Sequence, residues 1–115
     1  MEDMELYEKA VNAAASFFER KYDAEILEKN PCANAPIICR INEGDQEKLV
    51  FVNVSVRSSS EGFEKTIDRG EMEAAAIVYL MNNPRDEVSV RFDDVCMIVT
   101  SENRALMRHE VNALR

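Results

Sequence analysis

The chain has 115 residues, 46% of them hydrophobic and 31% charged, a length and composition that fit one globular domain spanning residues 1–115 and leave no room for a second. Its formal net charge of -8, from 22 acidic and 14 basic residues, disfavours the non-specific grip on phosphates that nucleic-acid-binding proteins obtain from clustered lysine and arginine. No stretch approaches the about 18 to 20 consecutive apolar residues of a membrane span, and the first residues, MEDMELYEK, are acidic where a signal peptide is basic and then apolar, so we expect a cytoplasmic protein with no membrane partner.

The first third of the chain predicts one helix and one short strand. Residues 4–22 place apolar side chains three and four positions apart, which is typical of a helix with one apolar face. Residues 24–28 have an apolar centre and favour a strand. Pro31 and Pro36 then bracket the segment NPCANAP, where the restriction that each proline places on the residue before it predicts a loop.

Residues 37–42 and 49–57 predict an antiparallel hairpin, because Gly44 and Asp45 provide a turn between them. The second strand reads LVFVNVSVR. Since side chains alternate between faces in a strand, its valines share one face, fit for a core, and the other face presents an aromatic ring, two small polar groups and a cation: Phe51, Asn53, Ser55 and Arg57. That second face is predicted to be either half-exposed surface or the floor of a site.

The rest of the chain predicts a helix, a long strand and an ambiguous C-terminal segment. Residues 66–82 return to helical spacing and run into an Asn-Asn-Pro sequence that ends the helix. Residues 88–100 alternate and are rich in β-branched side chains, which predicts a strand with a bulge at Asp93 and Asp94. Residues 102–114 favour a helix by propensity.

Four fragments, taken in order and with their spacing, carry a resemblance to a known family. They are ILEKN at residues 26–30, VFVNVSVR at 50–57, RFDDV at 91–95 and HEVNAL at 109–114. With these fragments the chain resembles the YraN family of small nucleases, which have the restriction-endonuclease-like fold. The resemblance implies an α/β domain with a mixed, mainly antiparallel sheet of about four strands flanked by two helices. It also implies a short strand or turn before Asn112 in place of a C-terminal helix.

The resemblance further implies where a nuclease site was inherited. In such nucleases one strand carries an acid and, two residues on, a second acid or a lysine, while an acid of the preceding strand completes a magnesium site. Matching the motifs puts Asn53 at the position of the first acid and Ser55 at that of the lysine. In the preceding strand, Cys39 falls at the position of an aspartate and Ile37 at that of the glutamate before it. The resemblance thus places Cys39 with Asn53, Ser55 and Arg57 on one concave face, with the valines of the same strand packed under a helix.

All four matched positions have lost the family's residue type. An amide, a hydroxyl and a thiol offer no carboxylate to a hard divalent cation, so we expect no catalytic residue, no bound metal and no cofactor at this site. The family's first helix carries a glutamate that falls on Val11, and the nearest acid, Glu8, lies almost one turn earlier. An alignment error of one residue in the hairpin is the alternative for Cys39, whereas Asn53 and Ser55 lie in an ungapped stretch.

Other candidate groups favour structural roles. The three cysteines form no C-x-x-C pair, which predicts buried or partly buried thiols in a reducing compartment and no zinc site. Asp93 and Asp94 look like a metal pair, but neighbours in a strand point to opposite faces, which favours a structural or turn role. His109 matches the family's terminal histidine and lacks a nucleophile at motif spacing, so we expect it to pack or to form a hydrogen bond rather than to catalyse.

The sequence therefore predicts a non-catalytic binding or assembly module on a degenerate nuclease scaffold, with another protein or itself as partner and nucleic acid disfavoured. A divergent nuclease with a relocated magnesium site is the alternative, and a redox sensor acting through Cys39 is a third. A local patch would favour nucleic acid if five cations converge in the fold: Lys65, Arg69, Arg91, Arg104 and Arg108. Four methionines either fill the core or leave adaptable apolar surface for a partner: Met72, Met81, Met97 and Met107.

Overall fold

The structure, a computed structural model, describes residues 2–58, 62–63, 67–101 and 104–114. The described elements follow in the order α1 (Glu2–Tyr22), β1 (Glu25–Lys29), β2 (Ile37–Glu43), β3 (Gln46–Ser58), β4 (Gly62–Phe63), α2 (Arg69–Asn82), β5 (Ser89–Ser101) and β6 (Arg104–Glu110). The α/β class is confirmed, and both predicted helices, the short first strand and the hairpin are present. No helix in these described ranges combines the length and the apolar character that crossing a membrane requires.

The strands form one mixed sheet. Its order is β1-β2-β3-β5-β6, and the two-residue strand β4 pairs with β3. The pairing of β3 with β5 is parallel, and the other described pairs are antiparallel. The expected mainly antiparallel character is confirmed, but the estimate of about four strands is too low, because the C-terminal segment adds β6 to the sheet.

Two apolar cores lie on opposite faces of the sheet. The alternation in β3 predicts the core on its valine face, whereas the other face, expected to be half-exposed surface or the floor of a site, carries the second core at Phe51. On one face, α1 packs against the valines of β3 through residues spaced along its apolar side: Tyr7, Val11, Ala14 and Phe18 against Val50, Val52, Val54 and Val56. On the other face, α2 packs against the first half of β3: Met72, Ala76 and Tyr79 against Leu49 and Phe51. The result is three layers, with β3 buried between the two helices.

Strand β5 is regular where the sequence predicts a bulge. Val52 of β3 pairs with Asp93 and Asn53 pairs with Asp94, with no break in the parallel register. The irregularity in β5 lies further on, where its pairing with β6 shifts between Val99 and Ser101. The predicted bulge at Asp93 and Asp94 is therefore wrong, because an unbroken ladder with the buried strand β3 holds both residues in register. The two carboxylates consequently point to opposite faces.

The C-terminal segment forms a strand and a turn, so the helix expected from propensity is wrong and the strand expected from the resemblance is confirmed. Residues of β6 gain ladder hydrogen bonds to β5 and pack Met107 against the α1 core, whereas a helix there would give up both contacts. After β6, a turn at 111–114 places Leu114 against the α2 core. Arg69 Nη2 donates to the carbonyl of Leu114 at 2.6 Å, which ties the end of the chain to the start of α2.

The ends of α2 agree with the sequence signals. Asp68 is the N-cap residue, and its side chain accepts a hydrogen bond of 2.9 Å from the backbone N–H of Glu71, as their capping-box spacing predicts. At the other end, the backbone N–H and the side-chain amide of Asn83 both donate to the carbonyl of Tyr79. These bonds satisfy backbone groups that the helix leaves without an internal partner.

Candidate functional site

Asn53 and Ser55 lie on the same face of the sheet as α2, further along β3 than Leu49 and Phe51. Both polar side chains are buried, with 1% and 8% of their surface exposed. Asn53 Nδ2 donates a hydrogen bond of 3.0 Å to Asp94 Oδ1, across the parallel pairing of β3 with β5. Asn53 and Ser55 are therefore not on open surface. The side-chain amide of Asn53 is already hydrogen-bonded to the carboxylate of Asp94.

Cys39 lies on the opposite face from Asn53, so the prediction that these residues line one surface is wrong. The hairpin register pairs Cys39 with Val50, and Cys39 belongs to the α1 core together with the valines of β3. Directly paired residues share a face, whereas residues 50 and 53 differ by an odd number and face apart. The residues of β2 that share the face of Asn53 include Ile38, which packs in the α2 core, and Arg40, which forms ion pairs with glutamates of β1 and β3.

The three positions that the resemblance matches to a metal site, Cys39, Asn53 and Ser55, do not lie on one face of the sheet. Among the described residues, no group of three or more histidine, cysteine, aspartate or glutamate side chains is placed to hold a metal ion. Asp94 of β5 pairs with Asn53, and Glu110 of β6 pairs with Asp94. One oxygen of Asp94 accepts the hydrogen bond from Asn53.

A buried charged cluster, which we call the Asp93 cluster, lies on the α1 face and consists of Arg91, Asp93 and His109. Arg91 Nε and Nη2 each donate to a different oxygen of Asp93 at 2.9 Å. His109 Nε2 lies 2.7 Å from Asp93 Oδ2, and the backbone N–H of Asn112 donates to Oδ1 at 3.0 Å. The carboxylate therefore accepts four hydrogen bonds from three residues and holds β6 and the following turn to β5.

Aromatic rings of α1 enclose the histidine of this cluster. Phe17, Phe18 and Tyr22 each place their ring edge-on to the imidazole of His109, with ring centroids 5.1 to 6.2 Å from that of the imidazole. The guanidinium of Arg91 lies over the ring of Tyr22, 5.6 Å from its centroid. Edge-on packing and a cation over a ring face are both favourable. The expectation that His109 packs and hydrogen-bonds is confirmed.

The charges within the Asp93 cluster balance one another. Burial would raise the pKa of Asp93, but hydrogen bonds from His109, Arg91 and the Asn112 backbone, with the positive charge of Arg91, hold this pKa below its ordinary value of 3.8. Asp93 has no exposed surface and Arg91 has 7% of its side chain exposed. A carboxylate so enclosed and so fully bonded cannot reach a substrate or a metal, which favours a structural role for it.

The thiol of Cys39 lies in the α1 core, fully buried. Burial, assisted by the negative charge of Asp93 and opposed by Arg91, raises the pKa of this thiol to about 12. A reactive cysteine needs a thiolate and an approach from solvent. Cys39 has neither, so the geometry does not favour the redox alternative.

The outer side of α2 carries an exposed apolar surface, which we call the α2 surface: Ile77, Val78 and Met81, with 59%, 57% and 75% of their surface exposed. Next to it, a groove of about 360 Å³ runs between α2 and residues 33–35, with Glu28 at its rim. The other three methionines that the sequence singled out pack in the two cores. Sequence reasoning missed Ile77 and Val78, although their adjacency to Met81 at helical spacing was the available signal.

The five candidate cations do not form one patch. Arg91 is buried in its ion pair with Asp93, and Lys65 lies outside the described residues. Arg104 and Arg108 are exposed on β6, and Arg69 is exposed at the start of α2. A basic surface built from the whole set is therefore not present.

Comparison with known protein families and with curated proteins finds no match to this chain. The resemblance to the YraN family therefore stays a prediction that rests on the four fragments. The features of the structure that bear on function are the α2 surface, the face of the sheet that carries Asn53, and the Asp93 cluster.

Proposed function

We propose that this chain is a non-catalytic binding module that contacts another protein through the α2 surface. The observation that carries the proposal is the exposure of Ile77, Val78 and Met81 on adjacent turns of one helix, beside a groove. Isolated apolar side chains are common on protein surfaces, but a contiguous group next to a concavity is typical of interaction sites. Covering such side chains contributes about 25 cal/mol per Å² of apolar surface.

The groove indicates the chemistry of the partner. Four alanines, from α2 and from residues 33–35, line it together with Ile38, Val78 and Tyr79, so an apolar side chain of a partner fits there, and three asparagines add amide groups that can form hydrogen bonds with the partner. The charged side chain at its rim is Glu28, and the chain as a whole carries a net charge of -8. A partner segment with apolar anchors and a neighbouring lysine or arginine would therefore complement this surface.

The state of the old nuclease positions supports a non-catalytic role. Asn53 and Ser55 are uncharged and nearly inaccessible, and Cys39 faces the other core. Hydrolysis of a phosphodiester by this route needs carboxylates that converge on a cation in contact with solvent and substrate. None of the three positions meets that need.

A nuclease with a relocated magnesium site is the alternative function. The observation in its favour is the pairing of Asp94 with Glu110 on the face that carries Asn53. Two carboxylates and an amide are oxygen ligands of the kind that magnesium accepts. Asp93, the other acid considered for such a site, is fully occupied inside its cluster.

Activity and binding assays on nucleic acid separate these two functions. The purified chain is incubated with single-stranded, double-stranded and branched DNA in magnesium or manganese, and its binding to labelled DNA is followed by fluorescence anisotropy at low salt. We expect neither cleavage nor salt-sensitive binding. Cutting that disappears with a chelator and with Glu110→Gln, while Lys9→Gln has no effect, would establish the relocated site instead.

The α2 surface is tested by site-specific photo-crosslinking. A photoreactive amino acid replaces Val78 on α2 or, as the control, Glu8 on the exposed side of α1, and covalent products formed in the native host are identified by mass spectrometry. A protein captured only from position 78 is then purified and titrated with the chain by calorimetry. We expect Met81→Lys to weaken that binding by about tenfold, since it places a charge in an apolar contact. Equal capture from both positions would contradict the proposal.

A further inference from the structure

Strand β6 forms one edge of the sheet, and its outer side pairs with no other described strand. It is seven residues long and regular from Glu110, opposite Asp94, to Ala105, opposite Val99. Leu106 on this strand is 62% exposed. A regular edge strand with exposed apolar surface is a template for pairing with a further strand.

Two like charges meet at one end of this edge. Asp94 and Glu110 are direct ladder partners of an antiparallel pair, a position in which side chains have their Cβ atoms about 4.5 to 5.5 Å apart and like charges are unfavourable. The row runs from Asn53 through Asp94 to Glu110 and stops at the sheet edge. A cation placed beyond Glu110 would complete the row and offset the repulsion.

A second copy of the chain provides that cation in one register. In an antiparallel pair of identical strands, related by a two-fold axis perpendicular to the sheet, residue numbers of facing partners have a constant and even sum. Centring the axis on Met107 pairs all seven residues of β6. Arg104 of each copy then faces Glu110 of the other, which gives one such pair at each end of the ladder. Leu106 of each copy faces Arg108 of the other.

The neighbouring registers are unfavourable. An axis at Leu106 places Arg104 opposite Arg108 of the second copy, and an axis at Arg108 places the two copies of that arginine opposite each other. Each of these registers also loses ladder pairs, because only five residues overlap within β6. Charge therefore selects the one register that also gives the longest ladder.

We propose that β6 pairs with β6 of a second copy in the register centred on Met107, which joins two sheets into one continuous sheet across a two-fold axis. The surface is separate from the α2 surface, so the dimer leaves the proposed protein-binding side available. The net charge of -8 on each copy opposes association at long range, but charges further away than about 8 Å are screened at physiological salt. Strand β6 itself carries two arginines and one glutamate, so the contacting strands do not share the acidic excess of the whole chain.

Sedimentation equilibrium of the full chain over a concentration series tests the pairing. We expect a reversible monomer–dimer equilibrium in the unmodified protein. Arg104→Glu places a glutamate opposite Glu110 of the second copy at both ends of the ladder, and we expect it to raise the dimer dissociation constant about tenfold or more. Glu110→Arg alone is expected to weaken the dimer in the same way, and the double exchange R104E/E110R is expected to restore it.

Lys9→Glu is the matched control, because it makes the same change in net charge at an exposed position on α1. Circular dichroism of each variant reports whether the fold is kept, and Met81→Lys is expected to leave the dimer unchanged while it weakens partner binding. A protein that is monomeric at every concentration overturns the proposal. Equal effects of Arg104→Glu and Lys9→Glu, or a double exchange as weak as the single variants, overturn it as well.

Discussion

His109 Nε2 lies 2.7 Å from Asp93 Oδ2 and joins β6, the last strand of the sheet, to the interior of β5. An ionised carboxylate only accepts hydrogen bonds, so the histidine nitrogen carries the hydrogen. The same carboxylate binds Arg91 through two nitrogens and the backbone of Asn112. One buried acid thus connects the guanidinium of its own strand, the edge strand and the C-terminal turn.

We expect Asp93→Asn to destabilise the protein strongly. The substitution keeps the shape of the side chain but removes the buried counter-charge of Arg91 and leaves it only the more exposed Glu43, 3.3 Å away, as an ion-pair partner. Breaking the buried pair should cost about 3 kcal/mol or more in the free energy of unfolding. Urea unfolding followed by circular dichroism measures this loss. Asp94→Asn, one residue further along the same strand, is the matched control and should change the free energy of unfolding by about 1 kcal/mol or less. Equal effects of the two substitutions would contradict the structural role of the Asp93 cluster.

The Asp93 cluster also predicts a pH dependence of stability. Its carboxyl has a lower pKa in the folded protein than its ordinary value of 3.8, so the folded state favours the ionised form. The stabilisation is complete above the unfolded-state pKa and is lost as the pH falls through the lower folded-state pKa. Between neutral pH and pH 2, we expect the free energy of unfolding to fall more steeply below 3.8 in the unmodified protein than in Asp93→Asn. Parallel curves for the two proteins would contradict this prediction.

Two methionines of α2 provide a matched pair for the packing of that helix. Met72 is 1% exposed and lies in the α2 core, whereas Met81 lies on the α2 surface. We expect Met72→Ala to lower the free energy of unfolding by about 2 to 5 kcal/mol because it leaves a cavity. Met81→Ala should change it by no more than about 0.5 kcal/mol. Denaturant unfolding of both variants checks the difference, and a large loss for Met81→Ala would show that its side chain is buried.

The three thiols should differ in reactivity. Cys32 is exposed, while Cys39 and Cys96 are buried. Because the thiolate is the reacting form, the raised pKa of Cys39, about 12, should make it inert toward a thiol reagent in the folded protein. Alkylation followed by mass spectrometry should show rapid labelling at Cys32 alone, and Cys32→Ser should remove it. Rapid labelling of Cys39 would restore the redox interpretation.

Asn53→Asp tests whether this buried position tolerates a carboxylate. The new carboxylate would lie about as close to Asp94 as the present amide, and a buried acid beside the half-buried Asp94 should lower the free energy of unfolding by about 1 to 3 kcal/mol at neutral pH. We expect part of this loss to be recovered at pH 5, because the two neighbouring carboxyl groups then share one proton and no longer repel each other fully. Ser55→Ala, on the same strand face, is the control for burial without charge. Recovery at neutral pH with added magnesium would favour the relocated metal site.

The local pattern of the sequence determined a large part of this architecture. The alternation in residues 49–57 is sufficient to place the valines on one face and Asn53 with Ser55 on the other, because side-chain direction in a strand repeats every two residues. Helical spacing located α1 and α2, although the predicted start at residue 66 precedes the observed start of α2 at Arg69. That Asn53 and Ser55 carry no charge on that face is likewise visible in the sequence alone.

Pairing between distant segments decided the rest. The face on which Cys39 lies depends on the register of β2 against β3, and a shift of one residue reverses it. Residues 104–110 have helix propensity, but hydrogen bonds to β5 and packing of Met107 outweigh that preference. Only the assembled sheet brings Arg91 and Asp93 to His109 and leaves Met81 exposed while Met72 is buried, because these outcomes are set by neighbours that lie far away in the sequence.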